Sequence, residues 1–432
     1  MKRNYSLKKA LSGACAFVFF AMSALNGSNL IDVSARNLYY APVDELNCST
    51  CPSTGNIRSL VVVVDFKDAK YNDNRLSDEE LKNDLYGDGV EANTPFDSVS
   101  GFYNRASYGE LSVSGDVYSY TAKKNIADYE DSVNGFEPLV TEVINALNKK
   151  IDFTKYDSDK DGYVDSLIFS IAAGSSTDFW YGCTATWWSM HEPKMDGEAI
   201  NQYIINDEQP YYDTLTRYTS VVCHEMGHTM GLPDYYKYNV TDNWEGLNGT
   251  AGKELMDDAD GEFGAFSKLM LGYVKKNNAK ILTADGIKAS DKEISITLKN
   301  DEKSPSVMII KRKTGSSSRF SEYFIAEYVS GNDGTGLRIY HIDSKLINQY
   351  GDGSTFKYEG FSSYYDTTGN GIRVIRLVND GNGFFKKGDK INAKTSGFGW
   401  YDGNGSETVD PGFTIKVKSI SEDKCVLTLK AD

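Results

Sequence analysis

The sequence predicts an α/β (α+β) domain over residues 57–275, followed by an all-β sandwich region over 276–432. Three observations carry this. The run IRSLVVVVDF, Ile57 to Phe66, is continuously apolar and Val-rich, as in a central strand buried on both faces. Segments of helical period alternate with such runs as far as about Val274. Beyond Lys275 the character changes to alternating strands: EISITLKN, SVMIIKRK, YFIAEYVS, LRIYHID, IRVIRLV, FTIKVKSI and CVLTLKA, separated by Gly, Asn, Asp and Ser turns.

The elements of the first domain follow in order. Ser77-Asp-Glu-Glu80 has the form of a capping box and starts a short helix through Leu85. A second helix is expected between Phe96 and Tyr108. GELSVSGDVYSY, from Gly109, alternates as a strand does. Leu139, Val143, Ile144 and Leu147 recur at helical spacing, so 136–150 is an amphipathic helix. YVDSLIFSIAAG, from Tyr163, reads as another buried strand.

Length and composition agree. A chain of 432 residues fits two or three domains, and 40% hydrophobic with 25% charged residues describes a globular protein. The net charge of −15 argues against nucleic-acid binding and leaves carboxylates for hard cations such as calcium.

Residues 1–35 read as a signal peptide. Lys2, Arg3, Lys8 and Lys9 precede an apolar stretch, Ala10 to Ala24, that is too short to span a bilayer. Cleavage falls after Ala24 or, preferred here, after Ala35 with Val33 at the −3 position. Cys15 lacks a Leu three residues before it, against a lipoprotein anchor; an uncleaved N-terminal anchor is the alternative. The expectation is a secreted, extracellular protein, monomeric, with no stable membrane insertion after cleavage. Residues 36–56 form a short pro-segment or linker containing Cys48-Ser-Thr-Cys51-Pro. Export leaves Cys48, Cys51, Cys183, Cys223 and Cys425, an odd number, with connectivity open. Cys48 and Cys51 suit a tight disulfide; a thiolate from this segment blocking a metal site is the alternative.

The chemistry concentrates in HEMGHTMGLPD, His224 to Asp234. His224 and His228 are spaced i, i+4, which on a helix sets both imidazoles on one face, able to meet one tetrahedral zinc. Glu225 is placed to take a proton from metal-bound water as general base. Val222, Met226 and Met230 form the opposite, core-facing stripe. Gly231 can end the helix in a left-handed conformation and return Asp234 as third ligand, leaving the fourth position for water. Glu245, Glu254 or Asp257 replaces Asp234 in a thermolysin-like design. Two of only four histidines fall in this motif, which makes a chance match a poor account of it.

The motif HEMGHTMGLPDYY resembles that of the immune inhibitor A family of secreted bacterial metallopeptidases, a family similar to the metzincins. LVVVVDFKD, SVSGFYNRASYGELSVSGDV, YDSDKDGYVDSLIFSIAAG, WWSMH, ELMDDADGEFGAFSKLMLGYV and GLRIYHID also look like family segments, in the family's order, from Leu60 to Asp343. GFGWYDGNGS and TIKVKSIS resemble its β-domain. The resemblance implies a metzincin-like peptidase domain, hydrolysis of peptide bonds in proteins, and a Met-turn at Met256. Cys223 departs from the small or apolar residue expected before His224, and the segment ahead of the domain is short for the family. A second donor for the oxyanion is needed, and His191, in WWSMH, Tyr235 and Tyr236 are candidates; the alternative for His191 is a structural histidine bonded near the cleft. His341, in a strand-like segment, reads as structural.

Asp157, Asp159, Asp161 and Asp165 occupy positions 1, 3, 5 and 9 of a calcium loop, with Gly162 at the turn and the Tyr163 carbonyl at position 7. Position 12 is Ile168 and a strand follows, so this is no EF-hand, and a remote acid must complete the shell. Two rivals to a zinc endopeptidase stand: a secreted zinc hydrolase acting on a glycan or glycoprotein, and a secreted binding protein with a closed zinc site. Intact Glu225 speaks against the second.

Overall fold

The structure, a computed structural model, describes residues 50–129, 136–172, 183–186, 192–211, 213–236, 249–250, 252–258, 261–299, 306–312, 319–331, 334–348, 356–358, 373–379 and 383–432. The leader at 1–35, Cys48, His191 and Glu245 lie outside these residues. The chain divides at Pro233/Asp234 into two compact units. The change of character at Lys275 therefore falls inside the second unit.

In the first unit, strands β1 (Gly55–Asp65), β2 (Leu111–Thr121), β3 (Ser166–Ile171), β4 (Cys183–Thr186) and β7 (Gln202–Asn206) form a sheet in the order β2-β1-β3-β7-β4. A small hairpin, β5 (Lys194–Met195) and β6 (Glu198–Ala199), stands apart from it. Neighbours are parallel except β4, which runs antiparallel to β7 along the edge. Leu60 to Val64 are all buried, which is why this strand reads as an unbroken apolar run. At the other edge β2 alternates: Leu111, Val113 and Val117 are buried, Ser112 and Ser114 exposed.

Helix α1 (Asp78–Tyr86) begins on the capping box expected at Ser77 and Glu80, with both reciprocal hydrogen bonds present. Helix α2 (Val99–Ala106) is capped by Ser98, whose side chain accepts from the Gly101 N–H. Helix α3 (Glu137–Leu147) buries Leu139, Val140, Val143, Ile144 and Leu147 in one core cluster with Leu60, Val62 and Val64 of β1 and Leu167 and Phe169 of β3. Burial of each such side chain contributes about 1.5–3 kcal/mol.

Helix α4 (Leu215–Thr229) carries the histidine motif and packs against β7, β4 and α2. The Tyr103 hydroxyl of α2 donates to the Cys223 carbonyl at 2.7 Å. At the far end, the Thr50 and Cys51 N–H groups both donate to the Thr229 carbonyl at 3.2 Å. An orphan carbonyl of the last helical turn is thereby satisfied by the segment ahead of β1.

The second unit is rich in β-structure. After α5 (Leu255–Asp258) and α6 (Ala265–Met270) come β8 (Ala279–Thr283), α7 (Ala284–Lys288), β9 (Ile294–Lys299), β10 (Val307–Lys311), β11 (Glu322–Gly331) and β12 (Gly334–Asp343). They are followed by β13 (Leu346–Asn348), β14 (Phe356–Tyr358), β15 (Ile375–Leu377), β16 (Lys390–Ile391), β17 (Phe413–Ser421) and β18 (Lys424–Ala431). Two larger sheets result, β15-β12-β11-β10-β8 and β16-β17-β18-β9. One core cluster takes Ile310, Phe324, Ala326 and Ile339 from the first sheet and Leu298, Ile415, Val417, Leu427 and Leu429 from the second. The region is β-rich, which agrees coarsely with the all-β character expected of the C-terminal part.

Candidate metal and catalytic site

The site is built on the C-terminal half of α4. From Tyr218 to Thr229 every residue of the helix is buried. The expected division into a core face and a metal face therefore gives way to burial all round. Val222, Met226 and Met230 are at most 1% exposed; His224, Glu225 and His228 are 5%, 4% and 4% exposed. Three ionisable side chains in so dry a place need polar or ionic partners.

His224, Glu225 and His228 each offer a ligand atom within 4.8 Å of the others. The two imidazoles stand edge to face, centroids 4.8 Å apart. Nδ1 of His228 lies 2.7 Å from the Leu232 carbonyl. A carbonyl only accepts, so Nδ1 carries the proton and Nε2 presents its lone pair, the tautomer that a metal-ligating histidine needs. The donor set fits zinc: two imidazoles with a carboxylate beside them.

The chain turns as the sequence suggests. Gly231 has φ of +92°, its N–H donates to the His228 carbonyl at 2.8 Å, and the Leu232 N–H donates to the Gly227 carbonyl at 3.0 Å. These two bonds make a Schellman ending, and the positive φ is why a glycine stands there. The same turn sets the Leu232 carbonyl against His228. Asp234 follows Pro233, opens the second unit and is buried; it is not among the residues whose ligand atoms lie within 4.8 Å of one another.

In the second unit, Met256 is fully buried in a turn held by carboxylates. Glu254 accepts from the Met256 N–H at 2.6 Å, from the Gly264 N–H at 3.3 Å and from the Ser267 hydroxyl. Burial pushes the Glu254 carboxyl up to about 7, against those hydrogen bonds. Asp257 Oδ2 accepts from the Thr250 and Gly252 N–H groups at 2.9 Å. Glu254 and Asp257, weighed as alternative ligands, thus bind donors of their own loop. The Tyr235 N–H donates to the Met256 carbonyl at 2.9 Å and its hydroxyl pairs with Ser267 at 2.8 Å.

One partner of the motif has no local signal in the sequence. The Thr184 hydroxyl, on β4, lies 2.9 Å from both the carbonyl oxygen and Oε2 of Glu225.

The acidic loop forms a second cluster. Oxygens of Asp157, Asp159 and Asp165 lie within 4.8 Å of one another. Gly162 has φ of +91°, and Asp157 accepts from the Asp161 and Gly162 N–H groups at 3.2 and 3.1 Å. Asp165 is 1% exposed; its Oδ2 accepts from the Ser158 N–H at 3.0 Å while its Oδ1 has no hydrogen-bond partner among the described residues. Burial and the like charges of Asp159 and Asp157 push Asp165 up to about 7; burial and Asp159, Asp157 and Glu198 push Asp161 to about 6. Glu198, on β6, is raised by desolvation and by a hydrogen bond and like charge shared with Asp157. It is a remote acid of the kind the loop lacks. Asp161 is outside the clustered set.

No protein-family model and no curated protein sequence matches the chain. Among solved structures, it is similar to wild-type OgpA from Akkermansia muciniphila at 11% identity and a TM-score of 0.27, over 73% of this chain and 89% of that one. Catalytically inactive OgpA from the same organism, in complex with an O-glycopeptide (glycodrosocin) substrate, follows at 10% identity and a TM-score of 0.23, over 74% and 77%. Likeness at these TM-scores carries no argument about fold or function.

Proposed function

We propose that this protein is a secreted zinc-dependent endopeptidase, with a metzincin-like catalytic domain, that hydrolyses peptide bonds in proteins. The observation that carries the reading is the buried His224-Glu225-His228 group, with His228 held by the Leu232 carbonyl in a ligating tautomer. His224, His228 and Asp234 are the ligands in this reading, and Met256 is its Met-turn residue. Bound zinc supplies Lewis-acid polarisation of a carbonyl and a lowered pKa for water.

Glu225 acts as general base: its carboxylate takes the proton of the attacking water and delivers it to the leaving amine nitrogen. Its burial excludes bulk water from that exchange. His191 remains the proposed second oxyanion donor. The Tyr235 hydroxyl already pairs with Ser267, which leaves it less suited to that task. The loop Asp157, Asp159, Asp161, Tyr163 and Asp165 is proposed to take calcium, with Glu198 as the added acid; the buried Oδ1 of Asp165, without a hydrogen-bond partner among the described residues, supports this. Among the described residues no helix is long and apolar enough to cross a membrane. The proposed leader is residues 1–35.

The test is cleavage of casein by the protein lacking residues 1–35, loaded with zinc, beside Glu225→Ala. Cleavage that a chelator stops, and that the variant loses while retaining zinc, supports the endopeptidase. Casein left intact by folded, zinc-loaded protein removes that reading and brings forward a zinc-holding binding protein or a hydrolase of non-peptide bonds.

A further inference from the structure

We infer that Thr184 is the positioning residue for Glu225, its hydroxyl fixing the carboxylate of the general base against the residue's own carbonyl within α4. The inference rests on the peptidase reading for its kinetic consequence only; the geometry stands without it.

Strand β4 runs antiparallel to β7 with Thr184 opposite Ile204. Residues directly opposite point to one face, and α4 packs against both strands. Thr184 is 1% exposed and Ile204 fully buried, so the hydroxyl is enclosed. It carries one proton and faces two acceptors at 2.9 Å, the Glu225 carbonyl and Glu225 Oε2. Both acceptors belong to one residue, so a single hydroxyl ties the strand to the helix and the carboxylate to its own backbone.

A buried threonine that served packing alone needs only the carbonyl. The second contact is what distinguishes this one. A glutamate on a helix has three rotatable side-chain bonds, and an unanchored carboxylate sweeps several ångströms. The β-branched threonine is stiff at χ1, and its strand is fixed by the β7 ladder. The oxygen it holds is therefore placed by the sheet. General-base efficiency depends steeply on such placement.

Three forms of the zinc-loaded protein decide the matter: wild type, Thr184→Val, which keeps the shape and removes the hydroxyl, and Thr184→Ser, which keeps the hydroxyl. Thr184→Val is expected to lower kcat by about tenfold to a hundredfold, the loss of one hydrogen bond to a charged group. KM and zinc per chain stay at wild-type values, and Thr184→Ser restores kcat to within about threefold, since the hydrogen bond is retained. A second readout needs no activity: in crystals of metal-free Thr184→Val, the Glu225 carboxylate leaves its position against its own carbonyl. Wild-type kcat in Thr184→Val, a serine variant as slow as the valine one, or an unmoved carboxylate overturns the inference. Should Thr184→Val fail to fold, Thr184→Ala takes its place in the same comparison. A wild type that cuts nothing sinks the peptidase reading instead, and the crystallographic arm still decides the role of Thr184.

Discussion

Two buried clusters in this molecule are made of the same residue types but hold their histidines in opposite ways. In the second unit His341 is fully buried, with Nδ1 2.7 Å from Glu407 and Nε2 3.2 Å from Glu322. Arg376 pairs with Glu407, Arg312 with Glu322 at 2.7 Å, and the Tyr401 ring stacks on the imidazole at 4.6 Å. Both ring nitrogens are used as donors, so the imidazolium is complete and offers a metal nothing. In the first unit His228 uses Nδ1 on a carbonyl, and the two histidines converge with Glu225 within 4.8 Å. The difference teaches that the acceptor bound to a buried histidine decides its role more than burial does. Carboxylates on both nitrogens suit a structural cation; a carbonyl on Nδ1 suits the ligating tautomer proposed for His228.

The comparison breaks first at Glu225. Glu225→Ala should lower kcat by about 10²–10⁴, the usual share of a general base, with zinc content unchanged. A variant within threefold of wild type, in a rate assay on casein, removes Glu225 from that role.

His341→Leu should leave zinc content untouched and destabilise the second unit by about 1.5–3 kcal/mol, because Glu322 and Glu407 each lose a charged hydrogen bond while keeping Arg312 and Arg376. Denaturant unfolding reads this. The pH dependence has a definite sense. Burial opposes the charge on His341, but the hydrogen bonds and charges of Glu322 and Glu407 outweigh it and raise its pKa from 6.5. That stabilisation is fully present below pH 6.5 and is lost as pH rises through the folded value. Burial likewise opposes Glu322, yet His341, Arg312 and the Tyr401 N–H lower it from 4.5. Its contribution is present above pH 4.5 and is lost as pH falls through the folded value. Stability from this cluster should therefore peak between about pH 4.5 and 6.5, and His341→Leu should flatten the upper limb. An upper limb unchanged in the variant contradicts the cluster's assignment.

Calcium sharpens the picture from a third cluster. At a hundredfold excess over Kd it should stabilise the protein by about 2.7 kcal/mol, seen as a raised unfolding midpoint. Asp165→Asn should abolish that rise; an equal rise in the variant places calcium elsewhere. Smallest is Gly231→Ala, expected to cost about 1–2 kcal/mol for a left-handed backbone with a Cβ. It should also weaken zinc affinity by disturbing the Leu232 carbonyl that holds His228. Unchanged zinc affinity with the stability loss intact would separate the turn from the metal.

What could be read from sequence is what local spacing encodes. The His224–His228 interval, the Gly231 turn, the Ser77 capping box and the long buried run of β1 all lie within one element, and each recurs in the structure. Strand β7 passed unread because QYIIN is five residues long and opens and closes on amides, which gives a period too little to work with. Thr184 reaches Glu225 across 41 residues, and His341 meets Glu322 and Glu407 at separations of 19 and 66. Glu198 meets Asp157 from a hairpin beyond β3. No window of sequence contains such pairs; the sheets create them.

The central claim is that His224 and His228 hold a metal and His341 does not. Titration of zinc into metal-free wild type, His228→Leu and His341→Leu, followed by calorimetry, tests it most directly. The account predicts one tight zinc per chain in wild type and in His341→Leu, and its loss in His228→Leu. Tight zinc binding retained by His228→Leu, or lost only in His341→Leu, would contradict it.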